Sequence, residues 1–206
     1  DVLPEAYCDQ LAKLQDNVPA IEIHEVRRII EGQIGRPLQD VFAYIDPKPV
    51  GSASIGCVYR AMLCDGREVA VKIRRPGIER AFALDLAVMD QAVAILELVG
   101  LSLMGLSAGM VEELRTALAE ELNYASEIRY QTLFRRNFRK YKKVRITAPK
   151  VHHDLSGPDV IVTEFVDGIR LRDILANLQA YGPLYGKFLK RLGIDHRDIG
   201  RRLVRG

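Results

Sequence analysis

A loop of small residues followed by a β-hairpin constrains the fold of this chain more than any other feature. The segment Gly51–Val58 reads G-S-A-S-I-G-C-V, and Lys72 closes the apolar run V-A-V-K. Asp65-Gly66 is a strong hairpin signal, so strands are predicted over Ile55–Leu63 and Arg67–Arg74. Small side chains let backbone N–H groups approach a phosphate closely, and a lysine on the second strand can reach the same phosphates. The sequence therefore predicts a phosphate-binding site on a small antiparallel sheet.

Length and composition are those of a folded chain with a full core. The 206 residues, 48% of them hydrophobic, suffice for one domain or one and a half. The net charge of +3 is mildly basic and argues only weakly for anionic partners. Three cysteines without metal-ligand spacing indicate reduced thiols in a cytosolic, matrix or stromal compartment: Cys8, Cys57 and Cys64.

No targeting or membrane-spanning segment is predicted. The chain opens with the acidic D-V-L-P-E, unlike a secretory signal. The most apolar stretch, 92–110, contains Glu97 and three glycines, whereas a span needs about 20 apolar residues with few interruptions. This stretch is therefore predicted to be a buried helix and loop, with membrane contact as the alternative.

Hydrophobic periodicity predicts helices on both sides of the hairpin. The spacing of Val26, Ile29, Ile30 and Ile34 is helical, and Gly35-Arg-Pro37 ends that helix. Further helices are predicted over Pro4–Gln15, from Pro76-Gly77 through Leu98, and over Met110–Phe138, Leu171–Ala180 and Asp195–Val204, with a strand over Val160–Val166.

The loop reads G-x-A-x-x-G-x-V, one residue away from the G-x-G-x-x-G-x-V of protein kinases. A tight turn before a strand gives the same pattern, so the order of the features is more specific than the loop. That order is loop, hairpin with its lysine, glutamate-rich helix, and a strand running into E-F-V-D-G. His196-Arg-Asp198 resembles the catalytic H-R-D-x-x-x-x-N, but Leu203 stands where asparagine belongs. Asp195 is interpreted as a helix N-cap, and no catalytic role is assigned to Asp198.

Several motifs together resemble the UbiB-type atypical kinases, also called aarF-domain kinases, over essentially the whole chain. That family carries P-I-A-A-A-S-I-G-Q-V, then V-A-V-K, then R-P-G-I. Its E-x-D helix and its hinge strand also have counterparts here. The matching segments are Pro49–Val58, Val69–Lys72, Arg75–Ile78, Glu121–Tyr124 with Glu127, Phe134–Phe138 and Val162–Gly168, and Leu3–Pro19 is similar to the segment after the family's K-x-G-Q.

The chain departs from the family's pattern at four of these positions. Gly51 and Ser52 replace two loop alanines, Cys57 replaces a glutamine, and Asn123 replaces the aspartate of E-x-D. Glycine at position 51 makes the loop more flexible and more like an ordinary kinase loop. The K-x-G-Q lysine is expected upstream of Asp1.

The resemblance implies an α+β fold: a protein-kinase-like N-lobe, with a small antiparallel sheet and a long αC-type helix. Family-specific N-terminal helices precede the lobe, and the start of a helical C-lobe follows it. The expected boundaries are an N-terminal helical extension over 1–45 that covers the active site, the N-lobe over 46–166 and a hinge with the first C-lobe helices over 167–206. Within the N-lobe they are the loop 49–58, the hairpin 55–74, helices in 78–138 and strands in 144–166.

The same resemblance implies the ATP-binding part of an atypical kinase or ATPase that supports isoprenoid-quinone or other prenyl-lipid metabolism. ATP and Mg are the expected cofactors, with the Mg ligands and the catalytic base beyond Gly206, so the chain as given is predicted to be inactive. Expected partners are a small-molecule or lipid-like substrate, a membrane surface and proteins of a lipid-biosynthetic complex. The expected location is intracellular and peripheral to a membrane, on the bacterial cytoplasmic face or inside a mitochondrion or plastid. Two alternatives remain: a nucleotide-gated lipid-binding scaffold without catalysis, and a degenerate or truncated copy.

Two glutamates are candidates for the carboxylate partner that would hold Lys72 toward the phosphates. The family motif favours Glu121, with Glu127 next, whereas helical spacing puts Glu120 and Glu127 on one face. Either glutamate can instead be a solvated surface charge. The candidate catalytic residues are Lys72, Glu121 and Glu127. The candidate nucleotide-binding residues are Val50, Gly51, Ser52, Ala53, Ser54, Ile55, Gly56, Val58, Ala70 and Lys72, with Glu164, Phe165 and Val166 at the adenine edge.

The segment Phe134–Arg145 holds seven basic residues and no acid. The first interpretation is a solvated helix end, whose cations suit the C-terminal dipole. Anionic lipid headgroups come second, at about 1 kcal/mol per basic residue near the surface. No nucleic-acid partner is predicted, because no recognised binding motif accompanies the run. His152-His153 is interpreted as structural, since neighbours on a strand point in opposite directions.

Overall fold

A five-stranded antiparallel sheet forms the centre of the chain in this computed structural model, which describes residues 19–100, 107–138, 147–169 and 171–192. The strands are β1 (Phe42–Ile45), β2 (Gly51–Ser52), β3 (Gly56–Leu63), β4 (Glu68–Arg74) and β5 (Val160–Glu164). Their order is β1-β3-β4-β5, with β2 paired to β3.

The predicted hairpin is confirmed as β3 and β4, which pair from Gly56 opposite Arg74 to Met62 opposite Glu68. Gly66 supplies the left-handed backbone of the turn, with φ of 86°. Asp65 accepts a hydrogen bond from the backbone N–H of Arg67 at 3.1 Å, which fixes the turn.

The two faces of the sheet differ in burial. One face carries mostly β-branched apolar side chains and is largely buried under the first helix, α1 (Ile23–Ile34). The other face includes Val58, Ala70 and Lys72, all partly exposed. The buried face and the helix form a single apolar cluster that includes Val26, Ile30, Phe42, Cys57, Tyr59, Ala61, Val69, Val71, Ile73, Leu155, Val160 and Val162.

The helix α1 ends as predicted at Gly35, which has φ of 68° and donates its N–H to the carbonyl of Glu31. In the parts of the segment between β4 and β5 that the structure describes, there are three α-helices: α2 (Ile78–Leu98), α3 (Ala108–Leu122) and α4 (Tyr124–Phe138). The helices α2 and α3 pack on each other through a separate cluster.

The prediction of one helix over Met110–Phe138 was wrong, because the backbone leaves the helical region at Asn123 (φ −86°, ψ 79°). The Asn123 side chain accepts a hydrogen bond from the N–H of Ser126 at 3.0 Å. Asparagine competes in this way with helical hydrogen bonding, and here it starts a new helix. The residue therefore both ends α3 and caps α4.

The boundaries of other elements also differ from the prediction. The strand predicted over Val160–Val166 ends at Glu164, and the short strands β1 and β2 were not predicted. The predicted helices Pro4–Gln15 and Asp195–Val204 lie outside the described residues, as do His196 to Asp198 and the end of the basic run. The α+β class with a small antiparallel sheet is confirmed.

The chain divides into two units, the first ending at Phe165 and the second beginning at Val166. The described part of the second unit contains α5 (Leu171–Arg191), which is longer than the predicted Leu171–Ala180. Its backbone is interrupted at Gly182, where φ is 49° and ψ is −127°.

Candidate functional site

Lys72 lies near the end of β4, where its ammonium group meets a carboxylate of α4. Lys72 Nζ is 2.6 Å from Glu127 Oε2 and 4.8 Å from the centroid of the Tyr124 ring. The two charged side chains are 36% and 40% exposed. Because an exposed ion pair contributes at most about 1 kcal/mol to stability, its main effect is to orient the lysine.

The Lys72–Glu127 pair borders a cleft of about 1010 Å³. Glu120, Glu121 and Tyr130 also line this cleft. The family motif ranked Glu121 first as the partner of Lys72, but the carboxylate in contact is that of Glu127. The spacing argument assumed a continuous helix, and the break at Asn123 separates Glu121 on α3 from Glu127 on α4.

Tyr124, the first residue of α4, lies beneath the ion pair and was not predicted as part of the site. The residue is only 1% exposed, and its hydroxyl has no hydrogen-bond partner among the described residues. Burial, and then the nearby Glu127 carboxylate, raise the pKa of the Tyr124 hydroxyl. Since Tyr124 precedes Glu127 by three residues, the two share one face of α4. That spacing is the signal that could have identified it.

The small-residue loop folds back on itself tightly. Gly51 and Ser52 pair with Val58 and Cys57, and the N–H of Ala53 donates to the carbonyl of Gly56 at 2.9 Å. A Cβ atom at Gly56 would collide with the Ile73 carbonyl oxygen, which belongs to the paired strand. Glycine is therefore required here for close packing of backbone on backbone.

The rest of the loop offers small or exposed groups. Gly51, Ala53 and Ser54 are exposed, and a Cβ atom at Gly51 would meet no other atom within 4 Å. Ile55 is half-buried, and Val50 is 58% exposed. A loop with this composition leaves room for a bulky anionic group next to its backbone.

The open face of the sheet brings other predicted residues together with Lys72. Val58 and Lys72 are register partners, while Ala70 lies opposite Arg60 on β3 and opposite Thr163 on β5. Thr163 is thus on the same face but was not predicted. The alternation of side chains along a strand could have identified it, since Thr163 and Phe165 are two residues apart.

At the end of β5, two backbone N–H groups donate hydrogen bonds to neighbouring segments. The N–H of Glu164 donates to the carbonyl of Lys150, and that of Phe165 donates to the carbonyl of Glu68. The Phe165 ring lies under the guanidinium of Arg60, 4.7 Å from it. Val166, predicted with them, belongs to the second unit and is 62% exposed.

The described residues supply two kinds of group that bind phosphate. Lys72 supplies a cation and the loop supplies unhindered backbone, which are the groups that phosphates need. Within the described ranges, no three His, Cys, Asp or Glu side chains converge on a point where they could hold a metal ion. None of the helices there combines the length and apolar character needed to cross a bilayer.

Comparisons with known proteins identify the family of this chain. The family model of the ABC1 atypical kinase-like domain matches residues 13–205. The chain is 32% identical to Protein ACTIVITY OF BC1 COMPLEX KINASE 8, chloroplastic, of Arabidopsis thaliana, over 99% of this chain and 25% of that protein. It is 33% identical to the Probable protein kinase UbiB of Marinobacter nauticus, over 99% of this chain and 35% of that protein. The chain thus spans about a quarter to a third of these relatives.

A solved structure shows the same fold. The complex of Rv3197 with erythromycin from Mycobacterium tuberculosis is similar with a TM-score of 0.60 and 34% sequence identity, over 84% of this chain and 43% of that one. This neighbour and the family match confirm the protein-kinase-like N-lobe and the resemblance stated from the motifs. The chain belongs to the ABC1 family of atypical kinases, the family of the UbiB and aarF-domain kinases.

Proposed function

We propose that this chain is the ATP-binding part of an atypical kinase or ATPase. The observation that carries the proposal is the Lys72–Glu127 ion pair of 2.6 Å on the open face of the sheet. Lys72 would contact the α and β phosphates, and the loop would hold the phosphates through its backbone N–H groups. Glu127 would keep the lysine in place, while Glu121 would add negative charge to the same cleft.

The adenine ring would lie against the open face, near Val58 and Ala70. Glu164 and Phe165 would line its edge, and Val166 remains a candidate only because it follows them in the sequence. When bound, Mg would neutralise phosphate charge, and its ligands and the catalytic base are expected beyond Gly206. Residues 1–206 alone are therefore expected to bind nucleotide without turning it over.

The activity that the family resemblance favours is phosphoryl transfer to, or ATP hydrolysis coupled to, a small-molecule or lipid-like substrate. Isoprenoid-quinone or other prenyl-lipid metabolism at a membrane surface is the proposed setting, inside a bacterium, mitochondrion or plastid. Proteins of a lipid-biosynthetic complex are the proposed partners. The scaffold without catalysis is the competing proposal, and turnover of ATP by the full-length gene product distinguishes the two.

The binding proposal is tested by titrating the full-length gene product with ATP in a calorimeter. Lys72→Met should weaken ATP binding about tenfold or more, because it removes a charge-assisted contact to phosphate. Glu127→Gln should weaken it less, since the lysine remains but loses its carboxylate partner. Lys187→Met, a change at an exposed lysine of α5, is the matched control and should bind as the wild type does. Equal ATP affinity in the wild type and Lys72→Met would refute the proposal.

A further inference from the structure

Arg75, the residue that follows β4, connects the small-residue loop to the strand that carries Lys72. We propose that Arg75 is a positioning residue, which holds the loop in the shape that nucleotide phosphates require. This inference rests on the proposed ATP binding, and it assigns a role to a residue that contacts the back of the loop and not the nucleotide.

Arg75 contacts the loop through both its main chain and its side chain. Its backbone N–H donates to the carbonyl of Ile55 at 2.8 Å, and its Nε donates to the carbonyl of Ala53 at 2.9 Å. Its Nη2 donates to Ser52 Oγ at 2.8 Å. One residue thus fixes three of the six positions from Gly51 to Gly56.

The guanidinium reaches the loop from the side of the sheet opposite to Lys72. Arg75 Nη2 lies 3.5 Å from Cys57 Sγ, and Cys57 belongs to the buried face. Lys72 belongs to the open face, with Val58 as its register partner. Arg75 is therefore placed to support the loop from behind.

The groups that Arg75 binds explain why this support affects phosphate binding. A loop holds a phosphate when its N–H groups face the anion, and a carbonyl oxygen facing the same place repels it. Arg75 draws the carbonyls of Ala53 and Ile55 toward its own donors. These two oxygens are thereby kept away from the position of the phosphates.

The same guanidinium also reaches the segment before α1. Its Nη2 donates to the carbonyl of Pro19 at 2.7 Å, and the Tyr59 hydroxyl donates to the carbonyl of Ile21 at 2.9 Å. The side-chain contacts of Arg75 with Ala53, Ser52 and Pro19 use two donor nitrogens, Nε and Nη2, held in one plane. Arginine has this planar pair of donors and lysine does not.

The test separates phosphate affinity from folding by comparing ATP with adenosine. Calorimetric dissociation constants are measured for the full-length gene product and for Arg75→Gln and Arg75→Lys. We expect both variants to bind ATP about tenfold more weakly than the wild type, because the loss of one charge-assisted hydrogen bond corresponds to about this factor. The affinity for adenosine should not change. Arg67→Gln is the matched control, because Arg67 pairs with Asp65 at the far end of the hairpin.

Each outcome has a distinct meaning. The inference is overturned if Arg75→Lys keeps the wild-type ratio of the adenosine and ATP dissociation constants. This holds whether both affinities are unchanged or both fall by the same factor. If Lys72→Met also keeps the wild-type ratio, the ATP-binding proposal itself fails. Should both Arg75 variants fail to fold, Ser52→Ala removes one acceptor of the guanidinium. That variant is then expected to lower ATP affinity alone by about threefold, and wild-type affinity would overturn the inference.

Discussion

Replacing Gly56 by alanine should destabilise the protein far more than the same change at Gly51 in the same loop. A Cβ atom at Gly56 would collide with the Ile73 carbonyl oxygen and lie 2.7 Å from the Tyr124 hydroxyl. A Cβ atom at Gly51 would meet no other atom within 4 Å. Neither glycine has a positive φ, so the two substitutions differ in space and not in backbone strain.

The size of the effect follows from what must move. The Ile73 carbonyl belongs to the ladder between β3 and β4, so it cannot shift without weakening that pairing. Overpacking costs about 1–3 kcal/mol, and a weakened ladder hydrogen bond adds about 1 kcal/mol. Gly56→Ala is therefore expected to lower the free energy of unfolding by about 2–4 kcal/mol. Gly51→Ala should change it by less than about 0.5 kcal/mol, as for other open surface positions.

The assay is urea unfolding followed by far-ultraviolet circular dichroism, with both variants measured beside the wild type. At about 2–4 °C per kcal/mol for a chain of this size, the melting temperature of Gly56→Ala should also fall by at least about 4 °C. Equal unfolding midpoints for Gly51→Ala and Gly56→Ala would refute the reasoning, because they would show that the strand backbone yields freely at Gly56.

Three further predictions concern the groups around the site. Tyr124→Phe should raise the free energy of unfolding by about 1 kcal/mol, because it removes a buried hydroxyl that has no hydrogen-bond partner within the described ranges. Tyr59→Phe should lower the free energy of unfolding by a similar amount, because that hydroxyl donates to a carbonyl, and thermal unfolding of both variants measures the difference. Burial raises the pKa of Tyr59 from 10.0 to about 12. The folded state thus holds this proton more tightly, so stability should fall as the pH rises from about 10 to 12, and alkaline titration of Tyr59→Phe should show a shallower fall. Arg74→Met should cost about 2–4 kcal/mol in urea unfolding, because Arg74 is 14% exposed and binds Asp159 at 2.6 Å. Arg67→Met, at an exposed ion pair, should leave the unfolding midpoint close to that of the wild type.

The sequence was sufficient to predict an element of the fold where a local rule determines that element. The hairpin followed from Asp65-Gly66 and from the alternation on either side of it, and the end of α1 followed from Gly35. The strand β2 was not predicted because two residues carry too little periodicity, and its existence depends on pairing with β3. Such pairing is a tertiary effect that propensity does not encode.

At the candidate site, the sequence identified the lysine but not what surrounds it. V-A-V-K after a small-residue loop indicated Lys72, whereas the sequence did not separate the two glutamates, which the break at Asn123 places on different helices. A single asparagine can be solvated within a helix or can cap a new one, and only the packing decides. Arg75 was visible as part of R-P-G-I, but its contacts with Pro19 and Ala53 join segments distant in sequence.

The interruption at Asn123 gives the helical region a joint. The pair α2–α3 has a cluster of its own, formed by Leu86, Val93 and Val111, which is separate from the core beneath the sheet. In one unbroken helix, every tilt of that pair would pass along the helix axis to Glu127. With the break, two hydrogen bonds connect the end of α3 to its surroundings: Arg74 of β4 donates to the carbonyl of Leu122, and the N–H of Glu127 on α4 donates to the carbonyl of Asn123 at 3.2 Å. The carboxylate that orients the lysine thus belongs to a separate helix, whose axis does not have to follow that of α3.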